Sequence, residues 1–387
     1  MSNGWALRLD STGALGSLRA NGIELASPAA PLAAFDYRII STEQWMQFVE
    51  DYVVDPFTIG ASGEKIVNAA AAAFSKPGSE NFTKNAQLWL PELRALHVAR
   101  ANATVAQTVV ATMAMPTPAH VAYGAPTQLF LNVTAIPNGL AIELVWIGKQ
   151  PTMVGESSSI SFVPAPRRTG RWLLDKMGSA VDPEDVIAGG NSYNHAVGDG
   201  GAVVETAAGT MRIVSLDAAV MNPVTPGYPR GNPLSAGREP GVSGALQPLA
   251  RGSVRGMAVN LHNNLWSTNY PMYYPYYDPA LCSSRDPKTC ADANMRFRFH
   301  LSFEPAATAQ KSDDPAPLEV VTTNAPLLRW ASRLDDAGIF AYYVEVNQRE
   351  QLLPRHVGLE PAGRRLPRRR SAVGSRRGAQ APSDASQ

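Results

Sequence analysis

GMAVNLHNNLWSTNYPMYYPYYDPALCSSRDPKTCADANMRFRFHLSFE, residues 256–304, opens and closes on strand-like runs and carries a long aromatic, amide-rich excursion between them. In the closing run Phe297, Phe299, Leu301 and Phe303 alternate with Arg296, Arg298, His300 and Ser302. A period of two puts the four apolar side chains on one face and the polar ones on the other. Four large side chains on one face require a second layer to cover them, so this strand is expected to be central or well paired. The excursion offers the flat faces of Trp266, Tyr270, Tyr273, Tyr274, Tyr276 and Tyr277 beside the amides of Asn263, Asn264 and Asn269. Flat apolar faces next to donors and acceptors suit a sugar, whose ring has an apolar face and a polar edge.

Working outward, 387 residues with 45% hydrophobic content suffice for one large β domain or two smaller ones. A net charge of +1 gives no electrostatic case for nucleic acid. No run approaches the roughly 18 apolar residues of a membrane span. The first ten residues, MSNGWALRLD, lack the basic region and apolar core of a signal peptide. Three sequons, at Asn81, Asn102 and Asn132, point the other way, toward secretion. Cys282 and Cys290 are the two cysteines, too few for a zinc site without matching histidines. They read as a local disulfide in a secreted protein, or as two free thiols in a reducing compartment.

The rest of the chain repeats the strand pattern. Trp5, Leu7 and Leu9 alternate with polar or small residues before the turn Asp10-Ser11-Thr12-Gly13. Residues 104–115, 128–133, 140–146, 159–163, 201–205 and 211–216 are expected strands, and Pro137-Asn138-Gly139 is a hairpin turn. One helix is expected where Trp45, Phe48, Val49 and Tyr52 recur at helical spacing behind a capping box of Ser41 and Gln44. Residues 222–252, rich in Pro, Gly and Arg, read as a surface loop. The alanine run 69–73 reads as a helix end or loop, and residues 318–322 as a last strand. No alternation of strand and helix suggests a parallel sheet. The expectation is an all-β, antiparallel sandwich of residues 1–325 with one or two short helices, followed by a disordered Arg- and Pro-rich tail of residues 326–387.

Several segments in order resemble one family. They include Leu174-Asp175-Lys176, Gly190-Asn191, His195-Ala196-Val197, Trp146-Ile147-Gly148-Lys149 and, most specifically, Asn263-Asn264-Leu265-Trp266-Ser267-Thr268-Asn269-Tyr270. Over roughly the first three hundred residues the chain is similar to the C-terminal β region of secreted proteins related to class II α-mannosidases. The resemblance implies a β-supersandwich of the galactose-mutarotase type and a carbohydrate as partner. It also implies that a catalytic β/α barrel, with its zinc ion and aspartate nucleophile, is missing from this chain. Ser267 stands where the family has Gly, and the segment holding the two cysteines departs from the family pattern.

Three functions follow as expectations. The first is a non-catalytic, carbohydrate-associated domain, inactive alone and without a cofactor of its own, with Trp266, Asn269, Asn264, Tyr270 and His195 as binding residues. The alternatives for Trp266 and the asparagines are a core filler and a tight turn. The second is a self-sufficient epimerase or lyase that uses His195 with a carboxylate, which requires the two side by side. The third is an interaction scaffold. Glu143, Glu156, Asp175, Asp217, Asp278 and Asp292 are the candidate carboxylates, none paired with another by spacing.

Overall fold

A computed structural model describes residues 5–44, 47, 57–67, 85–99, 107–137, 139–150, 152, 154–165, 170–187, 190–231, 248–263 and 294–306. Two large antiparallel sheets dominate. The nine-stranded sheet runs in the order β14 (Ser179–Val181), β13 (Trp172–Lys176), β16 (Ala202–Thr206), β17 (Gly209–Ser215), β20 (Met295–Pro305), β11 (Gly139–Ile147), β10 (Gln128–Ile136), β9 (Thr108–Ala114) and β8 (Glu92–Ala99). The six-stranded sheet runs in the order β15 (His195–Ala196), β18 (Val220–Val224), β19 (Gly256–Asn263), β12 (Glu156–Phe162), β4 (Ala34–Ile39) and β7 (Gln87–Trp89). A small sheet of β1 (Trp5–Leu9), β2 (Leu15–Ala20) and β3 (Ile23–Glu24), and the hairpin of β5 (Phe57–Ile59) and β6 (Lys65–Val67), complete the set among the described residues.

The two large sheets face each other across one core. Phe162 of β12 meets Phe299 of β20 with ring centroids 5.7 Å apart, and Phe35 of β4 meets Trp146 of β11 at 6.0 Å. The closing run of the opening stretch, β20, is the middle strand of nine, with Phe297, Phe299, Leu301 and Phe303 buried and the intervening Arg298, His300 and Ser302 half-exposed. Its opening run, β19, is central in the other sheet. The stretch therefore supplies one inner strand to each layer, which is why its pattern decides the fold. β10 and β11 pair in unbroken register from Gln128 opposite Ile147 to Ile136 opposite Gly139; Asn138 of the expected turn lies outside the described residues.

The expected antiparallel sandwich is the architecture found. The capping box forms: the Gln44 backbone N–H donates to Ser41 Oγ at 3.1 Å, and the Ser41 N–H to Gln44 Oε1 at 3.2 Å. Trp45, Phe48, Val49 and Tyr52 lie outside the described residues. Thr117–Tyr123 is the second of the one or two short helices expected; it begins just past Pro116 and stops at Gly124, whose φ of 71° suits glycine. One reading is corrected. Residues 220–224, partly assigned above to a loop, are a buried strand in which Pro223 stands opposite Met257 and Asn222 opposite Ala258. A proline and an asparagine look like loop chemistry, but here Asn222 finds its partners inside the fold. Its Nδ2 donates to Tyr193 O at 2.8 Å and to Asn194 Oδ1 at 2.6 Å. The alanine run 69–73, residues 318–322 and the tail 326–387 lie outside the described residues. Among the described residues no helix is long and apolar enough to cross a membrane.

Candidate functional site

The outward face of the nine-stranded sheet carries a groove of about 410 Å³, lined from β9, β10, β11 and β20. Antiparallel register places Asn132 of β10 opposite Glu143 of β11, and Glu143 opposite Arg298 of β20. One row along, Thr134 stands opposite Ala141, and Ala141 opposite His300. These residues share a face because their neighbours Val133, Ile142, Leu144 and Phe299 are committed to the core.

The groove is a ladder of matched charges and amides. Asn132 Nδ2 donates to Glu143 Oε1 at 2.9 Å, and the Arg296 guanidinium donates to Glu143 Oε2. Arg298 is bidentate on Asp217, with Nε 3.0 Å from Oδ2 and Nη2 2.6 Å from Oδ1, and its backbone N–H donates to the same carboxylate. Thr108 and Thr134 share a hydroxyl contact of 3.0 Å. Burial, and after it the neighbouring Arg298 charge, push the His300 imidazole below its ordinary range. The site thus presents charges whose partners are already arranged, beside a histidine biased toward its neutral form.

The six-stranded sheet is polar in a different way. On its outer face Asp36 is fully buried, accepting from Arg38 Nε at 3.0 Å and from the Ser159 hydroxyl at 2.9 Å. Arg38 also donates to the carbonyls of Gly231 at 2.6 Å and Arg230 at 3.0 Å, which ties the 225–231 loop to the sheet. On its inner face, at one end of the core, Glu156 meets Lys149 from the segment after β11, the two 2.9 Å apart and almost wholly buried. The ammonium reaches Glu156 Oε1 as an ion partner rather than along a hydrogen-bond direction. It also donates to Gln150 O at 2.6 Å. The Tyr37 hydroxyl meets both the Glu156 carboxylate and the Tyr123 carbonyl, the latter at 2.8 Å. That carbonyl belongs to the last turn of the Thr117–Tyr123 helix, so Tyr37 satisfies a group that the helix itself cannot. Burial first, then the Glu156 charge, raise the Tyr37 phenol well above its usual value.

His195 lies on β15, buried, with its Nε2 donating to Ser192 O at 2.8 Å. Burial pushes its pKa down to about 4, so it is neutral at physiological pH. Trp266, Asn269, Asn264, Tyr270, Cys282 and Cys290 lie outside the described residues, as do Asp278 and Asp292. The groove residues Asn132, Glu143, Arg296, Arg298 and His300 were singled out from the sequence as strand, sequon or carboxylate, not as one site. The signal that unites them is alternation: Asn132 and Thr134 on β10, Glu143 on β11, and Arg296, Arg298 and His300 on β20 each stand between core residues, and the strands are neighbours. Among the described residues no group of three or more His, Cys, Asp and Glu is gathered as a metal ion requires.

A domain family of unknown function, DUF5054, matches residues 1–138. Among solved structures, a galactose 1-epimerase from Lactobacillus acidophilus NCFM is similar at 8% identity and a TM-score of 0.35, over 79% of this chain and 93% of that one. The Slr1438 protein from Synechocystis sp. PCC 6803 is similar at 9% identity and a TM-score of 0.30, over 78% of this chain and 92% of that one. Likeness at this level carries no argument about substrate. No curated protein matches the chain.

Proposed function

We propose that the chain is a non-catalytic, carbohydrate-associated β domain whose ligand lies in the groove on the nine-stranded sheet. The observation that carries this reading is the row Asn132, Glu143, Arg298, in which amide, carboxylate and guanidinium stand on adjacent strands. Neighbouring strands are spaced about 4.8 Å apart, so the row offers alternating donors and acceptors along a flat face. Vicinal hydroxyls present the complementary alternation. A groove of about 410 Å³ is within the range of small-molecule sites. Glu143 and Asp217 are each held by an arginine, which supports binding over acid–base work. The resemblance to class II α-mannosidase-like proteins supports a place beside a separate catalytic barrel, with any zinc belonging to that barrel.

The test is titration of the purified chain with a panel of neutral mono- to trisaccharides, followed by NMR or calorimetry. Binding is expected, and Glu143→Gln or Arg298→Ala weakens it at least about tenfold, equal to about 1.4 kcal/mol. Binding that survives both changes but is lost in Trp266→Ala moves the site to the aromatic segment. No binding by a folded sample at millimolar ligand ends the carbohydrate reading.

A further inference from the structure

Asn132-Val133-Thr134 is a glycosylation sequon, and it lies within the groove. We propose that Asn132 is a glycan acceptor and that its first sugar occupies the groove, leaving the chain with an occupied and an open state.

The strand geometry carries the first half. In β10 the period of two turns Asn132 and Thr134 outward together, while Val133 is buried in the core. A glycan on Asn132 therefore leaves the packing of the sandwich untouched. An asparagine one position away in register would have carried its sugar into the core. The side-chain amide has two N–H groups, and one donates to Glu143 Oε1 at 2.9 Å. The second is the one the modification consumes. The co-reactant is a lipid diphosphate-linked oligosaccharide of the secretory route. Sugar C1 bonds to Nδ2, the C1–O bond to the diphosphate breaks, and an Nδ2 proton leaves. Modification of the unfolded chain followed by folding keeps the remaining N–H available for Glu143.

The second half follows from position. Asn132 stands between Val110 and Glu143 in the register of the sheet, in the middle of the groove rather than at its rim. A sugar fixed there has the Glu143 and Arg298 groups beside it, and a free ligand must compete with an attached one. This half rests on the groove being the sugar site; the acceptor assignment does not.

The experiment secretes the full chain from a eukaryotic host behind an added signal sequence, with a tag sequon reporting passage, and maps sugar by mass spectrometry. The expected result is sugar on Asn132 in the wild-type chain and in Thr134→Ser, and none in Thr134→Ala. A folded, secreted chain with a modified tag and a bare Asn132 overturns the proposal. Oligosaccharide titration then compares the secreted chain with the same sequence made in bacteria, which carries no sugar. At least tenfold weaker binding by the glycosylated form is expected, and equal binding by the two forms overturns the occlusion. If neither form binds, the groove's sugar reading fails and with it the occlusion, while sugar on Asn132 still upholds the acceptor.

Discussion

Replacing Lys149 by Met tests a buried ion pair. The side chains of Lys149 and Glu156 are 3% and 0% exposed, and their charged groups lie 2.9 Å apart. Met keeps most of the lysine stem and removes the ammonium, which leaves a buried carboxylate with the Tyr37 hydroxyl as its partner. Breaking a buried pair by removing one member costs about 3–5 kcal/mol, because the remaining charge has been desolvated without compensation. In a domain of this size about 2 °C of melting temperature is lost per kcal/mol, so Lys149→Met is expected to melt roughly 6–10 °C lower. Urea unfolding followed by fluorescence of the buried Trp146 and Trp172 gives the free energy directly, with an unchanged slope if only the native state is affected. The double variant Lys149→Met with Glu156→Met removes both charges at similar volume. It is expected within about 1 kcal/mol of wild type or above it, since well-packed apolar replacements of buried pairs are often neutral or stabilising. A single variant within about 1 kcal/mol of wild type would refute the reasoning. So would a double variant worse than either single one.

Three other outcomes are expected. His195 has a folded pKa of about 4 against 6.5 for the free side chain, so the unfolded chain binds the extra proton between those values. Its contribution to stability is complete above pH 6.5 and is lost as pH falls toward 4; at 1.36 kcal/mol per unit over a span of 6.5 − 4, that is about 3 kcal/mol. Urea midpoints measured from pH 7 to pH 4 should fall less steeply in His195→Gln than in wild type. Gly201→Ala is expected to destabilise more than Gly178→Ala, read as the shift in urea midpoint. Both glycines have positive φ, 72° and 88°, but a Cβ at Gly201 lies 2.2 Å from Ile213 O whereas one at Gly178 meets nothing within 4 Å. Asp217→Asn unlatches Arg298 in a half-exposed setting, and should cost no more than about 1 kcal/mol in the same assay.

The opening stretch made the fold readable because each of its ends has one unambiguous face. β20 alternates without a break, and its partner β11 follows β10 across an Asn-Gly signal in the sequence, so the middle of the nine-stranded sheet was legible residue by residue. Strand β12 was half legible, its serines giving no apolar alternation. Ser157, Ser159 and Ser161 are buried together on the outer face, where Asp36 and the Ala34 carbonyl meet two of the hydroxyls. Thr117–Tyr123 hid because a seven-residue helix is too short for its period to stand out between two strands. The candidate site was legible only as separate residues. Cross-strand pairing that brings residue 132 to 143 and 143 to 298 depends on sheet order, which local patterns do not specify.

The same charges bear on the proposal that a ligand sits on one sheet and not the other. On the six-stranded sheet Asp36 and Glu156, the latter with Lys149 from the segment after β11, are sealed into partnerships, and opening any of them exposes a desolvated charge at a cost of several kcal/mol. A small ligand offering a few hydroxyls cannot supply that in exchange. On the nine-stranded sheet the arginines remain partly in water, 60% exposed at Arg296 and 39% at Arg298, and each surface pair is worth about 1 kcal/mol or less. A ligand there can insert between guanidinium and carboxylate, or bridge them, for no more than it gains from two or three new hydrogen bonds. The buried network fixes which way the sheets pack. Among the described residues the half-exposed ladder is an arrangement that a ligand can rearrange, and its weakness as a stabilising element supports the proposed binding surface.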